Sequence, residues 1–172
     1  MKCRVPLVFI FLIAPHALLA QHDLTELDKR NGFKQIKLGM PVDSVPGAKM
    51  KKEFTEKGNH PAALYEVTHP DYQHIGEVRI QKVELKTYKG LIYEINVITD
   101  KDPRLMKALE SSLGPPVYDV RHERYTWTGK NLSLAFRSVG KNQLELHYVS
   151  YQMLVRMKED KNKKVKEIAD DF

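Results

Sequence analysis

The stretch from residue 78 to residue 97 constrains the fold more than any other part of the sequence. Apolar side chains alternate with polar or charged ones on both sides of Lys89-Gly90, a dipeptide typical of a tight turn. Alternation with a period of two is the pattern of a half-buried β-strand. The two runs therefore predict a β-hairpin, with apolar positions at Val78, Ile80, Val83, Leu85, Leu91, Tyr93, Ile95 and Val97. A change of phase at Gln81-Lys82 predicts a β-bulge.

The sequence contains both a start signal and a stop signal for one helix. Asp102 offers a side chain that can cap the first turn, and Pro103 is tolerated there because its missing amide is not needed. The sequence Gly114-Pro115-Pro116 ends the helix. The spacing predicts a helix over 103–113 with one apolar stripe, formed by Leu105, Met106, Leu109 and Leu113.

Further short strands are predicted on either side of these elements. Before the hairpin they are residues 33–38, 48–54 and 63–68; after the helix they contain Tyr125 and Trp127, then 132–136, then 144–148. Residues 150–157 fit either a strand or a helix. The order of strands, helix and strands predicts an α+β fold, an antiparallel sheet of five to seven strands with one main helix packed on one face.

Residues 1–20 have the pattern of a secretory signal peptide. Lys2 and Arg4 precede an apolar run that is too short for a membrane-spanning helix, which needs about 20 apolar residues. Without this segment, 152 residues carry 22 acidic groups and 26 basic ones, the chain's 28 less Lys2 and Arg4, for a net charge of +4. The sequence predicts a signal peptide at 1–20, a single α+β domain at 21–157 and a charged C-terminal tail or helix at 158–172.

The cysteine count excludes several classes of chemistry. Cys3 is the only cysteine, and it lies inside the predicted signal. The exported chain would then have no disulfide, no thiolate metal site and no cysteine nucleophile. Cys3 also lies too early to carry the lipid of a bacterial lipoprotein. We therefore expect an exported protein of the periplasm or the cell exterior that is not lipid-anchored and has no transmembrane segment.

Two segments resemble each other and a group of exported modules. The first runs from Ile36 to Gly47 and contains Leu38-Gly39-Met40; the second runs from Leu105 to Leu113-Gly114-Pro115-Pro116 and is followed by Trp127-Thr128-Gly129. These motifs are similar to those of β-lactamase inhibitor proteins, of the small lipoproteins of outer-membrane assembly, and of exported proteins of Bacteroidetes-type bacteria. The resemblance implies a helical segment packed on an antiparallel sheet whose open face binds a protein. The chain lacks both the lipid-bearing cysteine and the disulfides found in those groups.

Three histidines are the candidates for a metal site. His60, His69 and His74 fall within fifteen residues. Imidazoles bind zinc or copper, but spacings of nine and five match no standard ligand pattern. The histidines are better interpreted as surface-loop residues, so we expect no metal and no cofactor.

Candidates for catalysis are few. His147 and Glu145 lie two apart on a predicted strand and share a face, the arrangement of a carboxylate-oriented base. The alternative interpretation is a solvent-facing pair opposite Leu144, Leu146 and Tyr148. Glu94 is expected on the polar face of its own strand. No Gly-x-Ser-x-Gly sequence and no phosphate-binding glycine loop occurs, so no catalytic residue is assigned.

Aromatic residues are the candidates for partner binding. Trp127 and Phe136 are predicted to be core residues, and Tyr125, Tyr148 and Tyr151 are candidates for a protein interface. Lysines cluster at 49–57 and 158–166, but acidic neighbours balance the second cluster. Both clusters are interpreted as solvated surface, and nucleic acid is not an expected partner.

The sequence thus predicts a non-enzymatic protein-binding or accessory module of the bacterial envelope, with another envelope protein as its partner. Two alternatives stay open. One is a periplasmic hydrolase or small-ligand-binding domain with a cryptic pocket. The other is an outer-membrane assembly factor.

Overall fold

A computed structural model describes residues 25–56 and 60–170 of the chain. The predicted signal peptide, Cys3 and part of the predicted turn at 58–61 lie outside the described residues. Within these residues the fold is α+β, as predicted, with antiparallel strands and three α-helices. The helices are α1 (Thr25–Arg30), α2 (Pro103–Leu113) and α3 (Tyr151–Ala169).

Eleven strands occur in the described residues, and nine of them form one sheet. They are β1 (Gly32–Phe33), β2 (Ile36–Lys37), β3 (Ala48–Glu56), β4 (His60–Val67), β5 (His74–Ile75), β6 (Val78–Tyr88), β7 (Leu91–Asp100), β8 (Val117–Asp119), β9 (Arg124–Thr128), β10 (Leu132–Val139) and β11 (Gln143–Ser150). The main sheet has the order β3-β4-β6-β7-β11-β10-β9-β8, with β5 paired to β6, and every pairing is antiparallel. β1 and β2 form a separate small hairpin.

The β6–β7 hairpin confirms the strongest prediction from the sequence. Lys89 and Gly90 form its turn with φ values of 51° and 76°, the left-handed geometry of a two-residue hairpin loop. The register shifts between Ile80 and Lys82, which confirms the predicted bulge. A second shift, between Lys86 and Thr87, was not predicted. It leaves Tyr93 packed on the opposite side of the sheet from Ile95, so the expectation that both share one face is wrong.

The main apolar core lies on the face of the sheet covered by α1 and α2. Leu27 of α1 and Leu105 and Leu113 of α2 belong to one buried cluster with the inward side chains of the central strands. Trp127 and Phe136 are buried in this cluster, as predicted. The Trp127 indole Nε1 donates to the Gly114 carbonyl at 2.7 Å, so two segments of the motif recognised in the sequence meet at the end of α2.

The predicted helix has the expected ends. The Asp102 side chain accepts from the Arg104 amide at 2.8 Å, which caps the first turn. Gly114 follows Leu113 with φ of 84°, and its amide donates to the Glu110 carbonyl at 2.8 Å. The helix over 103–113 is therefore confirmed.

The opposite face of the sheet is covered at one end by α3. The Ser150 hydroxyl accepts from the Met153 amide and caps this helix. Met153 and Met157, one turn apart, pack on a small buried cluster with Tyr88 and Tyr93. Beyond them the helix is held by Asp160, whose carboxylate accepts from the Tyr88 hydroxyl at 2.9 Å and from Lys89 Nζ at 2.6 Å.

Three finer expectations about the fold are wrong. The sheet has nine strands rather than five to seven, because β5 and β8 contain two and three residues, too few to show a period. The predicted strand 33–38 is broken by a turn at Lys34 (φ 51°) into β1 and β2. The helix at 103–113 is also not the longest, since α3 has 19 residues against its 11 and lies on the other face.

Among the described residues, none of the helices combines the length and the apolar composition needed to cross a membrane.

Candidate functional site

A polar groove runs across the face of the sheet that α3 leaves open. It has a volume of about 270 Å³. We use "polar groove" for the surface formed by Leu64, Glu84, Lys86, Glu94, Asn96, Arg137, Glu145 and His147. These side chains come from β4, β6, β7, β10 and β11, so strands far apart in the sequence build it.

Glu94 is the centre of the hydrogen-bond network in this groove. Its Oε2 lies 2.9 Å from Lys86 Nζ and 3.2 Å from His147 Nε2. Burial raises the pKa of Glu94, but the hydrogen bonds and charges of His147 and Lys86 outweigh burial and hold the pKa below its usual value. Burial likewise lowers the pKa of Lys86, and the carboxylates of Glu94 and Glu56 raise it further than burial lowers it. The folded protein therefore favours the ionised forms of both groups.

The second bulge in the hairpin extends this network toward α3. Because it places Tyr93 and Glu94 on the same side, the Tyr93 hydroxyl reaches Glu56 Oε1 at 3.0 Å, and Lys86 Nζ lies 3.2 Å from the same oxygen. Burial and the neighbouring carboxylates raise the pKa of Tyr93. A second cavity of about 210 Å³ lies here between the sheet and α3, next to Leu154.

The predicted pair of His147 and Glu145 lies in the groove, but the two residues have different partners. Glu145 forms an ion pair with Arg137 on β10, whereas His147 contacts Glu94 on β7. Glu145 is only 9% exposed, so the interpretation of a solvent-facing pair is wrong. Sequence spacing showed the shared face, but it could not show which neighbouring strand supplies each partner.

The groove offers paired charges rather than a hydroxyl nucleophile. Its ionised side chains are matched by opposite charges, and no serine, threonine or tyrosine hydroxyl is among its eight lining residues. The buried Asn96 Oδ1 has no hydrogen-bond partner within the described residues. Such an arrangement can bind a polar group, and it fixes the central strands to one another.

A second candidate surface lies at the β8 edge of the sheet. Four large apolar side chains are exposed there, which we call the "edge patch": Val117 (73%), Tyr118 (49%), Val120 (77%) and Tyr125 (39%). The Tyr118 and Tyr125 rings are paired across β8 and β9 with their centroids 4.8 Å apart. Val117, next to Tyr118 in the strand, points to the other face of the sheet. Large apolar side chains exposed on both faces of a sheet edge make that edge a candidate interaction surface.

A charged turn next to the edge patch fixes the connection between β8 and β9. Asp119 Oδ2 lies 2.7 Å from His122 Nδ1 and 3.3 Å from Arg124 Nε. The hydrogen bond from His122 lowers the pKa of Asp119 and outweighs the opposing effect of burial. The turn therefore presents Val120 on an ordered connection.

The three predicted partner-binding tyrosines have different environments. Tyr125 belongs to the edge patch. Tyr148 is 6% exposed and lies in the main core, so it is not a surface residue. Tyr151 is half-buried at the first position of α3. Val117, Tyr118 and Val120 were not predicted, although the β-branched and aromatic residues directly after Pro116 are typical of a strand.

The three candidate histidines are not brought together into a metal site. His60 is buried against the Tyr88 ring, His69 accepts from the Asp71 amide, and His74 is exposed in β5. Among the described residues, no group of three or more His, Cys, Asp or Glu side chains is placed to hold a metal ion.

Comparisons with known proteins give this chain no relatives from which a role could be transferred. No protein family, curated protein or solved structure gives a significant match to it. A function must therefore be inferred from the surfaces described above.

Proposed function

We propose that this protein is a non-enzymatic protein-binding module of the bacterial envelope, and that its partner adds an extended segment to the β8 edge. The observation that carries the proposal is the exposure of four large apolar side chains beside an unpaired edge strand. A partner that covers large exposed apolar side chains removes apolar surface from water, which favours binding.

The edge itself provides backbone groups for a partner. β8 pairs with β9 on one side only, so its outer side is free of any strand of the described sheet. In β-strand addition, main-chain hydrogen bonds provide affinity and pockets for alternate side chains provide specificity. Tyr118 and Tyr125 are of the residue type that dominates binding energy at protein interfaces.

Export and the envelope location rest on the sequence. The basic residues and short apolar run of 1–20 have the pattern of a signal peptide. The resemblance to exported modules that bind proteins through a sheet supports the same role. The hydrolase predicted as an alternative from the sequence has less support, because the carboxylates of Glu94 and Glu145 are paired with basic side chains and the groove is lined by no serine, threonine or tyrosine hydroxyl.

Site-specific photo-crosslinking tests the proposal. A benzophenone amino acid is placed at Val120 in the edge patch, or at Met50 on the opposite edge strand β3 as a matched control, since Met50 is 55% exposed. Each protein is illuminated in an envelope extract of the source bacterium. We expect one discrete crosslinked species from position 120 that disappears when Val117→Asp is added. Equal crosslinking from both positions, or none from position 120, would contradict the proposal.

A further inference from the structure

An apolar cavity of about 370 Å³ lies between α2 and the small β1–β2 hairpin. It is on the face of the sheet opposite the polar groove and is separate from the edge patch. Its walls are mostly core side chains, among them Leu27, Phe33, Leu105, Leu109, Leu134 and Leu146. The volume falls within the range of about 300–1,000 Å³ that is common for small-molecule sites.

Tyr148 brings a polar atom into this apolar wall. The residue is more than nine-tenths buried, and its ring packs on Phe33 with centroids 6.5 Å apart. No hydrogen bond joins its hydroxyl to another described residue, and the hydroxyl is not one of the fully enclosed unpartnered atoms, which are Asn96 Oδ1 and Thr126 Oγ1. The hydroxyl therefore remains accessible from the cavity that Tyr148 lines. Arg30 lines the same cavity as Tyr148. Burial raises the pKa of Tyr148, and the positive charge of Arg30 acts in the opposite direction. The cavity thus contains a hydroxyl group, that of Tyr148, which can donate a hydrogen bond to a ligand.

Three cationic side chains line the same cavity: Arg30, Lys34 and Lys37. Lys34 Nζ donates to the backbone carbonyls of Asp71 and His74, and Lys37 Nζ donates to those of Arg30 and Lys34. These carbonyl acceptors are neutral, so they orient the ammonium groups without cancelling their charge.

One carboxylate offsets part of the positive charge of these three side chains. Glu26 Oε1 pairs with Arg30 Nε at 3.0 Å, on the exposed surface of α1. Three cations against this one carboxylate leave the cavity with a positive potential.

We propose that this cavity binds an amphiphilic anion, with an alkyl chain against the apolar walls and a carboxylate near Arg30 and the Tyr148 hydroxyl. A neutral apolar ligand would leave the hydroxyl without a partner, and a cationic one would be repelled by the three basic side chains. A carboxylate accepts from both the phenol and the guanidinium, and such charge-assisted hydrogen bonds are the strong ones.

Calorimetric titration of the purified protein with decanoate tests the ligand class. Decanol and decyltrimethylammonium are the neutral and cationic probes with the same alkyl chain. We expect decanoate to bind at least about tenfold more tightly than either, a ratio that falls as salt is added. Equal affinity for decanoate and decyltrimethylammonium, or no binding of decanoate, would overturn the proposal.

Two variants on α2 test the location. Ala108 is exposed and lines the cavity, whereas Glu110 is exposed on the same helix and does not line it. We expect Ala108→Trp to abolish decanoate binding because the indole blocks the opening, and Glu110→Trp to leave it unchanged. Unchanged binding in Ala108→Trp would place the ligand elsewhere and contradict the proposal.

Tyr148→Phe tests the head-group contact. Because the hydroxyl has no hydrogen bond within the described protein, its removal should leave the melting temperature of the free protein unchanged or raise it. Decanoate affinity should fall about tenfold, and decanol affinity should fall less. Arg30→Gln should lower the affinity for decanoate and leave the affinity for decanol unchanged. If Tyr148→Phe keeps its fold and binds decanoate as tightly as the unaltered protein, the assignment of the hydroxyl is wrong.

Discussion

The two edges of the sheet are built in opposite ways. At one edge, β3 carries the exposed lysines Lys49, Lys51 and Lys52, and its register shifts between Met50 and Lys52. At the other edge, β8 and the turn after it carry Val117, Tyr118 and Val120 exposed to solvent. Lysines and bulges are two of the devices by which natural sheets prevent further strand pairing. The β3 edge has both devices, and the outward side chains of β8 are apolar instead.

This difference favours the β8 edge as the place where the proposed partner would bind. Natural sheets protect edges that would otherwise pair with another chain, so an edge without such protection supports the proposed binding role. The exposed lysines Lys49, Lys51 and Lys52, part of the cluster at 49–57 that the sequence predicted as solvated surface, are placed to act as a barrier against strand pairing at the β3 edge. The apolar β8 edge is the candidate for binding.

The largest expected effect is the loss of partner binding when the β8 edge is charged. Val117→Asp combined with Val120→Asp should weaken partner binding at least about a hundredfold, because two exposed apolar contacts are replaced by charges that must lose their hydration. Both positions are exposed, so the free energy of unfolding should change by less than about 0.5 kcal/mol for each. Quantitative pull-down together with urea denaturation measures both. Met50→Asp on β3 is the control and should bind normally.

A second prediction concerns the strands between the two edges. Glu94→Gln removes the carboxylate shared by Lys86 and His147, and should lower the free energy of unfolding by about 2 kcal/mol. Binding at the β8 edge should not change. Glu84→Gln, which breaks a more exposed pair with Lys82, should cost less than about 1 kcal/mol. Equal losses in the two variants would show that the carboxylate of Glu94 contributes no more to stability than that of Glu84, which has a single basic partner.

Much of this molecule follows from local sequence patterns. The alternation across 78–97 predicted a hairpin and one bulge, and the signals at Asp102 and Gly114 predicted α2. Alternation cannot locate an element of two or three residues, so β5 and β8 were missed. Residues 150–157 fit the period of a strand and that of a helix, because Met153 and Met157 belong to an alternating pattern and also lie one helical turn apart.

The candidate sites could be predicted less well because they depend on pairings between distant strands. The Glu94–His147 contact joins residues 53 positions apart through the β7–β11 pairing. Nothing in the local pattern around either residue specifies which strands are neighbours. The edge patch likewise requires knowing that β8 ends the sheet.

Removal of the lysine barrier should make the β3 edge resemble the β8 edge. Lys49→Val, Lys51→Val and Lys52→Val together should strengthen self-association about tenfold, because the altered strand presents apolar side chains beside an open edge. The broken Lys51–Glu66 pair is partly exposed and should cost less than about 1 kcal/mol of stability. Sedimentation equilibrium measures the change. A triple variant that self-associates no more than the parent protein would show that these lysines do not protect the edge.

The smallest effect is a dependence of stability on pH in the acidic range. The pKa of Glu94 is held below its usual value in the folded protein, so its stabilising contribution is complete above the unfolded value of about 4.3. That contribution is lost as the pH falls through the folded pKa. Melting temperatures between pH 7 and pH 3 should therefore fall less in Glu94→Gln than in the parent protein. If the melting temperatures of the two proteins fall by the same amount between pH 7 and pH 3, Glu94 is not responsible for this pH dependence.

Amide hydrogen exchange of the complex tests the central claim most directly. After the crosslinked partner has been identified, exchange is compared in the free and partner-bound protein for the two edge strands. The β8 edge proposal predicts slower exchange at residues 117–120 on binding, with the amides of β3 unchanged. Protection of β3, or no protection of β8 in a saturated complex, would contradict it.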